Sequence, residues 1–285
     1  MEPVSQSTSP RDGISGETKV ALVTGATRGI GRAIAESLGA AGFAVVVTGR
    51  TMAAGQGHHD GIGLPVPGSV EETVEHIMEA GGTALGLRLD LLDRGSIDAA
   101  IDATVERFGR LDVLVNNGIY QGPGVRQTIA EIPMEEAERL TQGNFLNQFY
   151  LSRRVLEIMR RQGSGRLIFM SALSSVNPTV GSSGLFYNAP KAAFNKIPDF
   201  INFEHGKDGI SAFLIEPQFT MTDTLRAVMG EEADKIGFGL TPYDPQDTAR
   251  TVVWLSSRPE APAHAGPAII NAPDFFRDNG IDPAS

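Results

Sequence analysis

Short apolar runs and stretches with helical spacing alternate along almost the whole chain. KVALVTG (19–25), AVVVTGR (44–50), ALGLRLD (84–90), DVLVNNG (112–118), RLIFMSA (166–172) and SAFLIEP (211–217) have strand length and little internal polarity. Such runs predict strands buried on both faces. PAIINA (267–272) is a weaker seventh candidate. Between them, apolar residues recur at helical intervals over 30–41, 70–80, 96–108, 134–162, 187–205 and 245–256. Strand and helix in turn imply right-handed crossovers, and hence an α/β fold with a doubly wound parallel sheet of about seven strands and helices on both faces.

Two segments interrupt this rhythm. Residues 51–68, rich in Gly and Pro, form an insertion directly after the second predicted strand. Residues 222–245 follow the sixth, where material outside the carboxyl ends of strands covers a ligand; their apolar side predicts a lid for a partly hydrophobic substrate. Residues 1–17, rich in Ser, Pro and Gly, predict a disordered tail without the apolar core of a secretory signal. With no repeat and no linker, 18–285 reads as one domain.

Composition narrows the function. Of 285 residues, 41% are hydrophobic and 20% charged, and the formal net charge is −10. That acidity disfavours nucleic acid and anionic membrane surfaces, which leaves a small molecule as the expected partner. The absence of cysteine excludes disulfides, thiolate catalysis and thiolate zinc sites. No run is long enough to span a bilayer, so a cytoplasmic location is expected.

The first strand leads into TGATRGIG (24–31) and then a helix. Gly25, Gly29 and Gly31 permit a tight turn and close backbone approach to a pyrophosphate at the positive end of that helix. At the end of the second strand an acid would accept hydrogen bonds from a ribose, whereas cations would hold a 2′-phosphate. The chain has Gly49 and Arg50 there, and Arg28 lies in the glycine loop. Two guanidiniums predict NADP(H), with NAD(H) the possible alternative.

In LFYNAPKAAF (185–194), Tyr187 and Lys191 stand one helical turn apart on one face. An ammonium near the phenol is expected to lower its pKa toward the neutral range and so to make an acid–base pair. Pro190 is expected within the first helical turn, and Pro198 is expected to kink or interrupt the helix.

The order of the glycine loop, NNG (116–118), Y-x-x-x-K and P-x-x-x-x-T (217–222) resembles the short-chain dehydrogenase/reductase family over roughly 19–271. The resemblance implies a Rossmann-type fold and an oxidoreductase that interconverts a carbonyl and an alcohol by hydride transfer. It implies Tyr187, Lys191 and Asn144 as catalytic residues, Asn144 holding a water in the proton relay. Cofactor contacts are implied at Gly25, Thr27, Arg28, Gly29, Ile30, Gly31, Arg50, Asp90, Leu91, Asn117, Gly118, Tyr187, Lys191, Pro217, Thr220 and Thr222, with Asp90 meeting the adenine. It also implies a homodimer or homotetramer. The insertion after Arg50 is loosely similar to that of hydroxysteroid-dehydrogenase-like proteins.

Departures from the family pattern open further alternatives. The family's serine position, counted from Arg166 and from Asn144, falls on Ala172; counted back from Tyr187 it falls on Ser174. Ser174, with a re-aimed strand end, is the expected hydroxyl, Ser171 the alternative, and none a third. Gln218 replaces a glycine beside the nicotinamide, with Thr220 and Thr222 expected to supply polar contacts. These losses keep a catalytically impaired dinucleotide-binding sensor or scaffold as the rival function. HHD (58–60) reads as a solvated loop rather than a metal site. Phe145, Phe149 and Tyr150 are expected to face a core or a partner subunit.

Overall fold

The computed structural model describes residues 18–176, 184–230 and 241–282. The seven strands are β1 Val20–Val23, β2 Ala44–Gly49, β3 Thr83–Arg88, β4 Val113–Asn116, β5 Gly165–Met170, β6 Ile210–Glu216 and β7 Ile270–Asn271. They form one sheet in the order β3-β2-β1-β4-β5-β6-β7, with every pairing parallel. The helices are α1 Gly29–Ala40, α2 Val70–Glu79, α3 Arg94–Phe108, α4 Met134–Thr141, α5 Asn147–Gln162, α6 Leu185–Phe194, α7 Ile197–His205, α8 Asp223–Met229, α9 Pro245–Ser257 and α10 Phe275–Asn279.

The pleat of β1 shows why both faces need helices. Ala21 and Val23 enter a cluster with Ile34 and Leu38 of α1 and Val252 and Leu255 of α9, while Val20 and Leu22 enter another with Ile97 of α3 and Val155 of α5. All four β1 residues are fully buried. A run apolar at every position is therefore buried from both sides. The reading of full burial fails for β3, whose residues are half-buried or exposed. It is an edge strand and has a neighbour only in β2.

Ligands in such sheets sit where the chain turns to opposite sides, and that point lies between β1 and β4. Local chemistry fixes the helices around it. Ser69 caps α2 by accepting from Glu72 N, and Asp244 and Asp247 form a capping box on α9.

The structure bears out two helix expectations with added detail and corrects a third. The stretch 134–162 is helical throughout, but a π turn, Gln142–Leu146, separates α4 from α5 and is of the kind found at functional sites. The stretch 187–205 breaks at Asn195–Lys196, as expected from Pro198, which cannot donate to a preceding carbonyl and so starts α7 as its second residue. Pro190 lies not in the first turn but in the second turn of α6, because that helix starts at Leu185.

The ends of the 222–245 segment are fastened together. Met221 N donates to Tyr243 O (3.1 Å) and Tyr243 N to Phe219 O (2.8 Å). The proposed tail (1–17) and the lid residues Ile236, Phe238 and Leu240 lie outside the described residues.

Candidate active site

The glycine loop is locked onto the end of β4. Thr24 Oγ1 accepts from the backbone N–H of Asn117 (3.0 Å) and Gly118 (2.9 Å), and Asn117 Nδ2 donates to Thr24 O (2.9 Å). A Cβ on Gly31 would stand 2.2 Å from Gly25 O, and one on Gly25 would stand 2.8 Å from Gly118 Cα. Gly25 and Gly29 have φ of 65° and 53°. Glycine is therefore required both by conformation and by close approach. Thr27 is buried behind the loop, and Ile30 packs on the core.

An anionic dinucleotide fits this cradle. The Gly29 N–H at the start of α1 donates to a carboxylate, Asp223 Oδ2, at 3.1 Å, as expected of a donor at a positive helix end. Arg28 Nη2 lies 3.3 Å from Gly68 O, and its buried Nε–H has no hydrogen-bond partner among the described residues. Burial, then the charges of Arg50 and Arg32, push the Arg28 pKa down. An added anion would offset this lowering by direct attraction to the guanidinium.

Arg50 departs from the expectation of a waiting cation. Its Nη2 donates to Asp60 Oδ2 at 2.6 Å. Burial opposes its charge, but the hydrogen bond and charge of Asp60 raise its pKa overall. The HHD segment is partly solvent-exposed, as expected, and its acid also reaches back to the strand end. Asp90 Oδ1 accepts from Leu92 N (2.9 Å), and buried Leu91 gives its carbonyl to Asn147 Nδ2 (2.6 Å). Those bonds shape the loop after β3 on which the adenine contact was expected.

Tyr187 and Lys191 share one face of α6, with Lys191 Nζ 5.8 Å from the Tyr187 ring centroid. The expected electrostatics do not follow. Desolvation, and then the Glu216 carboxylate, raise the Tyr187 phenol to about 12. Lys191 is only 8% exposed, and burial lowers it to about 8 against the opposing pull of Glu216. Its Nζ donates to Met170 O at 2.8 Å. The ammonium is thus held by a carbonyl at the end of β5 and lies over the ring.

Asn144 sits fully buried in the π turn. Its Oδ1 accepts from Tyr120 N (2.7 Å) and its Nδ2 donates to Tyr120 O (2.9 Å). The amide thus anchors the loop after β4, and a relay water on this residue would have to use other valences.

At the end of β5, Ser171 Oγ donates to Asn195 Oδ1 (2.9 Å), and Asn195 Nδ2 donates to Ser175 Oγ (2.8 Å). Ser174, on the 3-10 turn Leu173–Ser175, is half-buried and outside this network. Sequence reasoning missed Ser175 and Asn195, although Asn195 lies one turn beyond Lys191 on the same helix face.

After β6, Gln218 is the only non-glycine residue with positive φ among those described, at 58°. This explains why glycine suits the position: L-residues pay for that conformation. Its N–H donates to Glu216 Oε1 (3.2 Å). Thr220 Oγ1 donates to Pro217 O (2.6 Å), and Thr222 Oγ1 caps α8 by accepting from Leu225 N (3.2 Å). Both hydroxyls are engaged within the chain, and Thr222 packs against Gly29, where a Cβ would meet it at 3.1 Å.

The phosphate cradle, the Tyr187–Lys191 pair and the serine-bearing turn stand together at the carboxyl ends of the central strands. A family model described as short chain dehydrogenase matches residues 19–233. The 7alpha-hydroxysteroid dehydrogenase of Escherichia coli (strain K12) is 28% identical over 86% of this chain and 90% of its own. The 3-oxoacyl-[acyl-carrier-protein] reductase FabG of the same organism is 32% identical over 76% of this chain and 79% of its own. A crystal structure of an actinorhodin polyketide ketoreductase variant with NADPH superposes with a TM-score of 0.73 at 25% identity, covering 92% of this chain and 98% of that one. The chain belongs to the short-chain dehydrogenase family of oxidoreductases.

Proposed function

We infer that the protein is an NADP(H)-dependent oxidoreductase that reduces the carbonyl of a small, partly hydrophobic substrate to an alcohol. The observation carrying this reading is the buried Lys191 over the Tyr187 ring, on the helix that follows the strand beside the phosphate cradle. The preference for NADP(H) rests on Arg28, whose buried Nε–H is unpaired among the described residues, with Arg50 close enough to influence its charge.

A bound nicotinamide would supply the hydride, delivered to the carbonyl carbon. Tyr187 donates the proton to the carbonyl oxygen. A phenol held at about 12 stays protonated throughout the neutral range and so is available as the donor, but it is a weak acid that gives up its proton only as negative charge develops on the carbonyl oxygen. Lys191 orients the cofactor ribose and keeps a cation beside the developing oxyanion. The Ser174 hydroxyl orients the carbonyl. Asn144 holds the loop after β4 through Tyr120 and positions the relay water. Arg28, Thr27, Ile30 and the three glycines hold the phosphates, and Asp90 and Leu91 frame the adenine.

Phe149, Phe200 and Phe203 are 48%, 61% and 87% exposed on α5 and α7. Apolar surface of that size supports a homo-oligomer built on these helices. Among the described residues no helix is long and apolar enough to cross a membrane.

The test is a panel of ketones and aldehydes with NADPH and NADH, with cofactor fluorescence as the binding control. Turnover of a hydrophobic ketone with NADPH is expected. Binding without turnover across the panel would instead support a sensor or scaffold.

A further inference from the structure

The insertion after β2 folds into a hairpin. His59 N donates to Leu64 O (2.8 Å) and Val66 N to Gly57 O (2.9 Å), with His58 and Pro65 bridged in antiparallel fashion. The tip turns through Asp60, Gly61 and Gly63, the last at φ 67°. Two contacts fix where the tip lies. Asp60 takes the Arg50 guanidinium at the end of β2, and the Gly61 backbone packs so closely on the loop after β4 that a Cβ would stand 3.2 Å from both Gln121 O and Gly122 O. Because β1 lies between β2 and β4, the hairpin spans the crevice at the carboxyl end of β1. At its base, Arg28 Nη2 lies 3.4 Å from Thr51 Oγ1 and would stand 2.9 Å from a Cβ on Gly57.

We propose that this hairpin roofs the adenosine half of the dinucleotide site and that Asp60 is its specificity-determining residue, opposing a 2′-phosphate by holding Arg50. In the free chain Arg50 is neutralised by a carboxylate of its own chain. A 2′-phosphate gains that guanidinium only by displacing Asp60 or by sharing the cation with it, two anions against one fork. An unphosphorylated ribose meets no such conflict, and Asp60 offers its hydroxyls an acceptor. Arg28 lies outside the pair and still favours the phosphate. The chain therefore prefers NADP(H) by a narrower margin than two free arginines would give. The sequence conceals this because Asp60 lies ten positions beyond Arg50, in a stretch without strand or helix periodicity.

This inference rests on the NADP(H) reading, and the experiment separates the two. Binding of 2′,5′-ADP and of 5′-ADP is measured by calorimetry for the full chain, Asp60→Asn, Arg50→Gln and the double variant, with thermal unfolding of each as the folding control. In Asp60→Asn the ratio of 2′,5′-ADP to 5′-ADP affinity is expected to rise about tenfold, the effect of one charge–charge interaction near a protein surface. The rise should vanish in the double variant, because it acts through Arg50. An unchanged or lowered ratio in Asp60→Asn, or a rise that survives without Arg50, overturns the role of Asp60. The NADP(H) reading fails on a different result, tighter 5′-ADP than 2′,5′-ADP in the unaltered chain. Failure of either nucleotide to bind any form overturns both.

Discussion

Replacing Lys191 with methionine is expected to stabilise the chain at neutral pH, with an advantage that disappears in alkali. Methionine has similar length and no charge. Holding lysine at about 8 in the folded chain means that its charged form is disfavoured there by about 3 kcal/mol relative to the unfolded chain. The attraction of Glu216 is already contained in that value. Loss of the hydrogen bond to Met170 O returns about 1 kcal/mol, so a net gain of about 2 kcal/mol is expected near pH 7. The sign with pH follows from proton binding. Between about pH 8 and the ordinary lysine value of about 10.4, the folded chain has released a proton that the unfolded chain retains, so native stability rises with pH. Tyr187 acts in the opposite direction: with its phenol raised to about 12, the folded chain keeps a proton that the unfolded chain loses, and stability falls above about pH 10. The methionine variant loses the rise and keeps the fall. Urea unfolding followed through Trp254, the single tryptophan and a buried one, should show the gap between variant and parent at pH 7 and none near pH 10. A variant less stable at pH 7, or a gap independent of pH, would refute the reasoning.

Three other expectations follow from single contacts. Gln218→Gly removes a left-handed conformation costing about 1–2 kcal/mol but adds unfolded-state freedom worth about 0.5–1 kcal/mol, so urea unfolding should show a gain of up to about 1.5 kcal/mol, and a loss would contradict the strain. Asp223→Asn weakens the carboxylate's hold on the Gly29 N–H and should tighten NADPH binding severalfold in a fluorescence titration; weaker binding would mean that Asp223 is no competitor of the phosphates. Ser174→Ala should lower kcat/KM for a ketone with unfolding unchanged, whereas Ser171→Ala should lose about 1–2 kcal/mol of stability through Asn195; the reverse pattern would exchange their roles.

The sheet was legible because a strand buried on both faces must be apolar at nearly every position, as β1 is throughout and β2 is over Ala44–Val47. The edge strand β3 carries an apolar stretch, Ala84–Leu87, that is only half-buried, since pattern records what a residue tolerates and not what covers it. The cradle was equally plain, because Gly25 and Gly31 are demanded by contacts within a few residues or with the adjacent NNG. Pair electrostatics were less accessible. A Tyr–Lys spacing of one turn reports proximity, but Lys191 turns to Met170 O, while burial and then Glu216 raise the phenol, and both partners come from strands distant in sequence. Arg50 shows the same limit: its cation was visible, but its neutralisation by Asp60 depends on a hairpin held by backbone contacts. The serine was ambiguous for a geometric reason. Ser171 directly follows β5 and is held by Asn195, while Ser174 lies on the next turn outside that bond, and no local pattern separates the two.

The most direct measurement compares Tyr187→Phe with the parent protein, following NADPH oxidation with a ketone that the parent reduces. The phenol is the proposed proton donor, and general acid catalysis contributes about 10²–10⁴-fold. The account predicts that the phenylalanine variant binds NADPH as tightly as the parent and loses at least about a hundredfold in kcat. Reduction at the parent rate by a variant that binds NADPH normally would contradict it.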